Sequence, residues 1–170
     1  MFETKITYNL TDVRKLAKKY PGVVHEETVN VMDLVVRRLE KEVVEGTPRG
    51  VGGDAGLAGT IFGEVSGTGM PVKGIVGSPM EYAVVVEKGR RPGKRMPPVG
   101  PIALWAQRKL GVSAEEAESV GFAIARTIAI EGFEGAHMFK NAWNENERWV
   151  QDMLYGIAGR VVKRLESGAN

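Results

Sequence analysis

A chain of 170 residues, 43% hydrophobic and carrying a net charge of +2, has apolar material for one core of ordinary size and is no polycation as a whole. It contains no cysteine, which excludes a disulfide framework and thiolate-bound metal and fits a reducing compartment. No basic-then-apolar leader opens the sequence, and no run approaches the ~18 apolar residues of a membrane span, so it reads as a soluble protein made in the cytoplasm with no membrane partner.

Phe2, Thr4, Ile6 and Tyr8 alternate with Glu3, Lys5 and Thr7, the period of a short strand. Thr11 can cap a helix carrying Val13, Leu16 and Ala17, which Tyr20-Pro21-Gly22 ends. Residues 1–22 therefore read as an N-terminal strand and short helix. A longer helix is expected from Val24 to Glu45, because Val24, Thr28, Val31, Val35, Leu39 and Val43 recur every three or four residues and charged residues fill the other face.

Thr47 to Gly56 is a glycine-rich connection. Gly50-Val51-Gly52 imitates a dinucleotide fingerprint, but that motif needs a strand before it and a helix N-terminus after it, and here a helix precedes. The run Gly89 to Lys94 fails as a phosphate loop: its glycines are too close, and Arg95 stands where Ser or Thr must hold magnesium. Leu57–Ser66, Val72–Val76 and Tyr82–Val86 read as three strands, with Gly59, Gly63 and Gly74 marking bulges or the close approach of a neighbour.

After Val86 the chain turns basic. Lys88, Arg90, Arg91, Lys94 and Arg95 surround Pro92 and Gly93, a segment that cannot bury itself and whose breakers argue against a ladder. Met96, Pro97 and Pro98 bring the chain back to a helix with Pro101 in its first turn, Ile102, Leu104 and Trp105 within it, and Gly111 at its end. Trp105 is expected to be buried where this helix meets the sheet. Ser113 and Glu116 form a capping box for the next helix, which ends at Gly132 and is followed by a hinge-like turn to Gly135.

Residues 136–170 read as one long helix from about His137 to Leu165. Phe139, Trp143, Asn146, Val150, Met153, Ile157 and Val161 keep a heptad-like seam. A seam of that length finds its partner either across its own sheet or on another molecule; in the second case Phe139, Trp143, Val150 and Ile157 are the subunit contacts.

Chemistry is sparse. His25 and His137 stand at helix starts with no His, Cys or carboxylate at ligand spacing, the serines lie in no nucleophile elbow, and the aspartates form no pair. The sequence therefore predicts no enzyme, no catalytic or metal residues and no cofactor. The basic loop is the candidate working surface.

Thr47-Pro48, a Gly/Asp loop ending in Gly56-Leu57, Tyr82-Ala83, Val86-Glu87-Lys88-Gly89-Arg90-Arg91-Pro92, Pro97-Pro98, Trp105 and Lys109-Leu110-Gly111 follow one another in an order that resembles the tail-component family of tailed bacteriophages. Ile124-Ala125-Arg126-Thr127-Ile128 and the Gly132-to-Gly135 turn before Met138-Phe139 extend the likeness, which spans Glu26 to Ala142. Its motifs are short, so order and spacing carry it. The chain departs from the pattern at Ala55, where the family has threonine, at Ala58, where it often has arginine, and in its longer basic loop.

The resemblance implies a structural virion protein of the tail or neck that completes the tail or joins it to the head. It further implies a ring of identical subunits, six-fold by family expectation, around the DNA channel, with neighbouring tail and neck or connector proteins as partners. The expected fold is α+β, one domain over 1–170: a small antiparallel sheet of three to four strands packed by helices, with a long C-terminal helix. The basic loop, Lys88 to Arg95, would face either passing duplex DNA or an acidic surface of a neighbour. The alternative is a nucleic-acid-binding module using the same loop, against which stands the absence of aromatic residues to stack on bases.

Overall fold

The computed structural model describes residues 11–50 and 56–168; the alternating segment from Phe2 to Tyr8 and the centre of the glycine-rich connection lie outside them. In chain order the elements are α1 (Thr11–Lys19), α2 (Pro21–Gly46), a 3₁₀ turn (Ala58–Thr60), β1 (Phe62–Ser66), β2 (Lys73–Gly77), α3 (Ala83–Lys88), β3 (Gly89–Arg90), α4 (Val99–Leu110), α5 (Ala114–Glu131), β4 (Phe133–Glu134), α6 (Met138–Tyr155) and α7 (Ile157–Glu166). Their contacts group into two compact units. One consists of Val44–Thr60 and Ser78–Phe139, the other of Ile61–Gly77 with the residues up to Val43 and from Lys140 onward.

In the second unit the periodicity of α2 decides the core. Val24, Thr28, Val31 and Val35 are all buried, the stripe the sequence indicates. The Thr28 hydroxyl is satisfied within the helix by donating to the Val24 carbonyl at 2.7 Å. Val13 of α1 and Val150, Leu154, Ile157 and Val161 of α6 and α7 close on this stripe. Asp12 in the first turn of α1 and Lys18 and Lys19 in its last oppose the helix dipole favourably. Arg164 anchors α7 to the start of α2 by pairing with Glu26 at 2.5 Å and Glu27 at 3.1 Å.

The expected single C-terminal helix is two helices, broken at Gly156, although Gly156 keeps right-handed dihedrals and hydrogen bonds run on either side of it. The seam finds its partner within the chain. Val150 and Ile157, expected as subunit contacts, are 3% and 0% exposed in the core against α2, and Trp143 packs partly buried beside them. They are unavailable to a neighbour, because the stripe on α2 already covers them. Asn146 of the seam is buried as well. It accepts from Arg38 Nε at 2.6 Å and donates to the Ala142 carbonyl, while the Arg38 guanidinium lies over the Trp149 ring. A buried amide needs partners, and this one pins α6 against α2 in a single register.

β1 and β2 form an antiparallel hairpin with Glu64 opposite Ile75. Gly63 and Gly74 are the close-approach positions the sequence indicates, but the neighbour is a set of side chains on α2. A Cβ on Gly74 would sit 2.6 Å from Val36 and 2.8 Å from the sulfur of Met32, and one on Gly63 would meet Val36 and Glu40. The hairpin thus lies flat on the helix.

The first unit departs most from expectation. Tyr82–Val86 is not a strand: Ala83–Lys88 is helical, with Val85 and Val86 donating backbone N–H to the Tyr82 carbonyl. Burial explains the reversal. Ala83 and Glu87, four apart, are the buried residues, whereas Tyr82 and Val85 are half exposed; that is a helix face, and burial outweighs β-propensity. Among the described residues the expected sheet of three to four strands is consequently two two-stranded pairs, β1–β2 and β3–β4. The broader expectation of a mixed helix-and-strand protein with a long helical C-terminal region holds.

α4 packs along α5. Ala117, Gly121 and Ala125 make the buried stripe of α5, and a Cβ on Gly121 would lie 2.9 Å from the backbone nitrogen of Ala103. The surface facing α4 is therefore nearly bare backbone. Trp105 is only partly buried, since α4 packs chiefly along a helix, and Ala106 takes the fully buried place. Gly111 ends α4 in the left-handed region, and Ser113 with Glu116 completes the expected capping box.

Candidate functional site: a basic loop on a glycine seat

The basic loop lies wholly within the first unit, and backbone bonds hold it at its start and at Gly93. β3 pairs with β4, setting Gly89 opposite Glu134 and Arg90 opposite Phe133. Ala136 and His137 donate N–H to the carbonyls of Val86 and Glu87, and Gly93 donates to Ala129 at the end of α5. Proline and glycine are expected to deny the segment a regular ladder, and the pairing stops at Arg90, before both of them. A two-residue ladder forms because its partner strand brings glycines to either side.

Those glycines explain the turn that the sequence suggests as a hinge. A Cβ at Gly132 would collide with the Arg90 carbonyl, one at Gly135 with the Glu87 carbonyl, and one at Gly89 with the Phe133 carbonyl. Gly89 and Gly132 also have positive φ, 73° and 71°. The two backbones touch because neither carries a side chain at the crossing. The result is a rigid seat and not a hinge.

Glu87, at the root of the loop, is 3% exposed. Its carboxylate accepts from the backbone N–H of Phe139 at 3.0 Å, in the first turn of α6, where a helix leaves donors unpaired and favours negative charge. His137, with φ of 52°, turns the chain into that helix. Phe139 is thus partly buried at the start of α6, with its backbone tied to the loop's root. Thr47 and Met138 also meet: the threonine hydroxyl, 3% exposed, lies 3.3 Å from the methionine sulfur. Sequence reasoning missed Glu87. Its signal was the spacing of four from Ala83.

The five cations are not equivalent. The Arg90 side chain folds back so that Nη2 donates to the Arg95 carbonyl, and its Nε is buried with no partner among the described residues. Arg90 therefore shapes the loop from inside. Lys88, Arg91, Lys94 and Arg95 are exposed, and Pro92 and Gly93 between them are exposed too. Arg91, Lys94 and Arg95 form the outward charge. Among the described residues no group of three His, Asp, Glu or Cys side chains could hold a metal ion, and no helix is long and apolar enough to cross a membrane.

No protein-family model, curated protein or solved structure matches this chain.

Proposed function

We propose that this chain is a structural subunit of a tailed-bacteriophage virion, one that completes the tail or joins it to the head as a member of a ring around the DNA channel. The motif order from Thr47 to Phe139 supports the reading. So does the meeting, in one unit, of segments far apart in that order: Thr47 with Met138, and Glu87 to Gly93 with Gly132 to Gly135.

The observation that carries it is a cluster of outward cations on a fixed base. Arg91, Lys94 and Arg95 repel one another, and a fold gains nothing from gathering them unless an anionic partner compensates. Holding the loop by backbone bonds at its start and at Gly93 lowers the ordering cost of binding such a partner. The partner is an acidic surface of an adjoining tail or neck protein, because a channel that passes DNA quickly is poorly served by tight phosphate contacts.

The test replaces Arg91, Lys94 and Arg95 together by serine and leaves Arg90, which the loop needs for its own shape. The subunit should fold with an unchanged melting temperature, and particles carrying it should make tails that fail to join heads. Normal joining and infection would reduce the loop to a solvated turn and remove the main support for the reading. Salt-sensitive binding of duplex DNA by the unaltered protein, lost in the triple variant, would favour the nucleic-acid module instead.

A further inference from the structure

Among the described residues β1 and β2 are the whole of their sheet, so each has an outer edge with no described strand beside it. Among the described residues, no backbone group on either outer edge has a hydrogen-bond partner outside the pair. Such an edge is a template for another strand, and folded proteins usually blunt it with proline, bulges or charge. Here the edges carry charge of opposite sign. Gly63 and Gly74 turn toward α2, so by the period of two the outward face presents Phe62 and Glu64 from β1 and Lys73 and Ile75 from β2. Glu64 and Lys73 are exposed, neither forms an ion pair or side-chain hydrogen bond, and Ile75 is 38% exposed.

We propose that β2 of one copy of this chain pairs with β1 of a second copy, extending the sheet from subunit to subunit. Charge selects this arrangement over its alternatives. Joining β1 to β1 brings Glu64 toward its own counterpart, and joining β2 to β2 does the same for Lys73; like charges set opposite one another across strands are destabilising. Joining β2 to β1 continues the antiparallel order of the hairpin. The register that sets Lys73 opposite Glu64 of the next copy also sets the exposed Ile75 opposite its partly buried Phe62, so the charge pair and an apolar pair form together. Each added copy leaves the same two edges open, so the contact propagates until it closes on itself, as head-to-tail contacts do in rings. Closure into a ring rests on the function proposed above; the edge pairing itself does not.

The chain has no cysteine, so single-cysteine variants report the contact directly. E64C and K73C would be purified separately, mixed in equal amounts and oxidised mildly at increasing concentration. The mixture should give at least tenfold more disulfide-linked dimer than either variant alone. No cross-link in the mixture overturns the proposal, and cross-linking of E64C or K73C with itself to the same extent overturns the head-to-tail arrangement. A second measurement uses the unaltered protein: amide exchange over 62–66 and 73–77 should slow on going from dilute to concentrated solution, and exchange independent of concentration would also sink the idea. The loop variant that tests the proposed function leaves the hairpin untouched. A failed cross-link beside a failed head joining would therefore reject the edge and keep the function.

Discussion

A methyl group added at Gly135 runs into the carbonyl of Glu87, and one at Gly132 into that of Arg90; in both cases the obstacle is backbone, which cannot rotate away. Gly135→Ala should therefore cost about 3 kcal/mol or more, in the range of enforced backbone strain. Gly93 is the control. Its φ is positive, 72°, unlike that of Gly135, but a Cβ there meets open space, so Gly93→Ala should cost only about 1–2 kcal/mol, the left-handed penalty of an L-residue. Urea unfolding of the two variants separates crowding from dihedral preference, and equal midpoints would contradict the seat. Glu116 offers a second test at this scale. Hydrogen bonds from the Ser113 side chain, then from its backbone, hold the Glu116 carboxyl below the ordinary carboxylate range. A depressed folded-state pKa adds stability above the unfolded value, and that stability disappears as pH falls through the folded one. Glu116→Gln should lower the melting temperature at neutral pH and bring the variant level with the parent at strongly acid pH. A gap of constant size across that range would refute the linkage.

Among the elements, legibility followed burial. The α2 stripe, the Ser113–Glu116 cap and the stops at Gly111 and Gly132 were readable because each depends on local spacing or on one residue's backbone. Tyr82–Val86 was not: a run whose Tyr82 and Val84 to Val86 favour a strand enters a helix because Ala83 and Glu87 are the positions that become buried, and only tertiary contact decides that. The C-terminal seam was readable as a pattern but not as a destination, since valines facing α2 and valines facing a neighbour have the same spacing. The basic loop was readable as a charge cluster. Its seat was not, because Gly132 and Gly135 lie about forty residues away from it in sequence. The partner of the seam yields a prediction. Ile157 is fully buried within the chain's own core, so Ile157→Ala should cost about 2–5 kcal/mol, with the same loss at low and high protein concentration. Trp105→Ala, at a half-buried position, should cost less than Ile157→Ala, which revises downward the figure a fully buried tryptophan would imply. A loss at Ile157 that grew with concentration would return the seam to the subunit interface.

For the whole molecule, the two proposed contacts rest on different physics and should respond differently to salt. The loop offers the exposed cations Arg91, Lys94 and Arg95, and whatever they attract is attracted through solvent, where the Debye length falls from ~10 Å at 0.1 M salt to ~3 Å at 1 M. Charge at an exposed rim mainly sets encounter rate and its salt dependence. The hairpin edge offers a row of backbone N–H and C=O groups with one charge pair and one apolar pair, and backbone hydrogen bonds at close range are little screened. Net charge does not oppose self-association, since at +2 the copies repel only weakly. Raising salt from about 0.1 to 0.5 M should therefore slow or abolish head joining in particle assembly, while the concentration-dependent protection of amides 62–66 and 73–77 in the unaltered protein changes by less than about threefold, the worth of one exposed ion pair. Head joining that ignores salt would mean the cations of the loop are not its contact. Protection that vanishes with salt would mean that charge alone, and no strand pairing, had brought the two copies together.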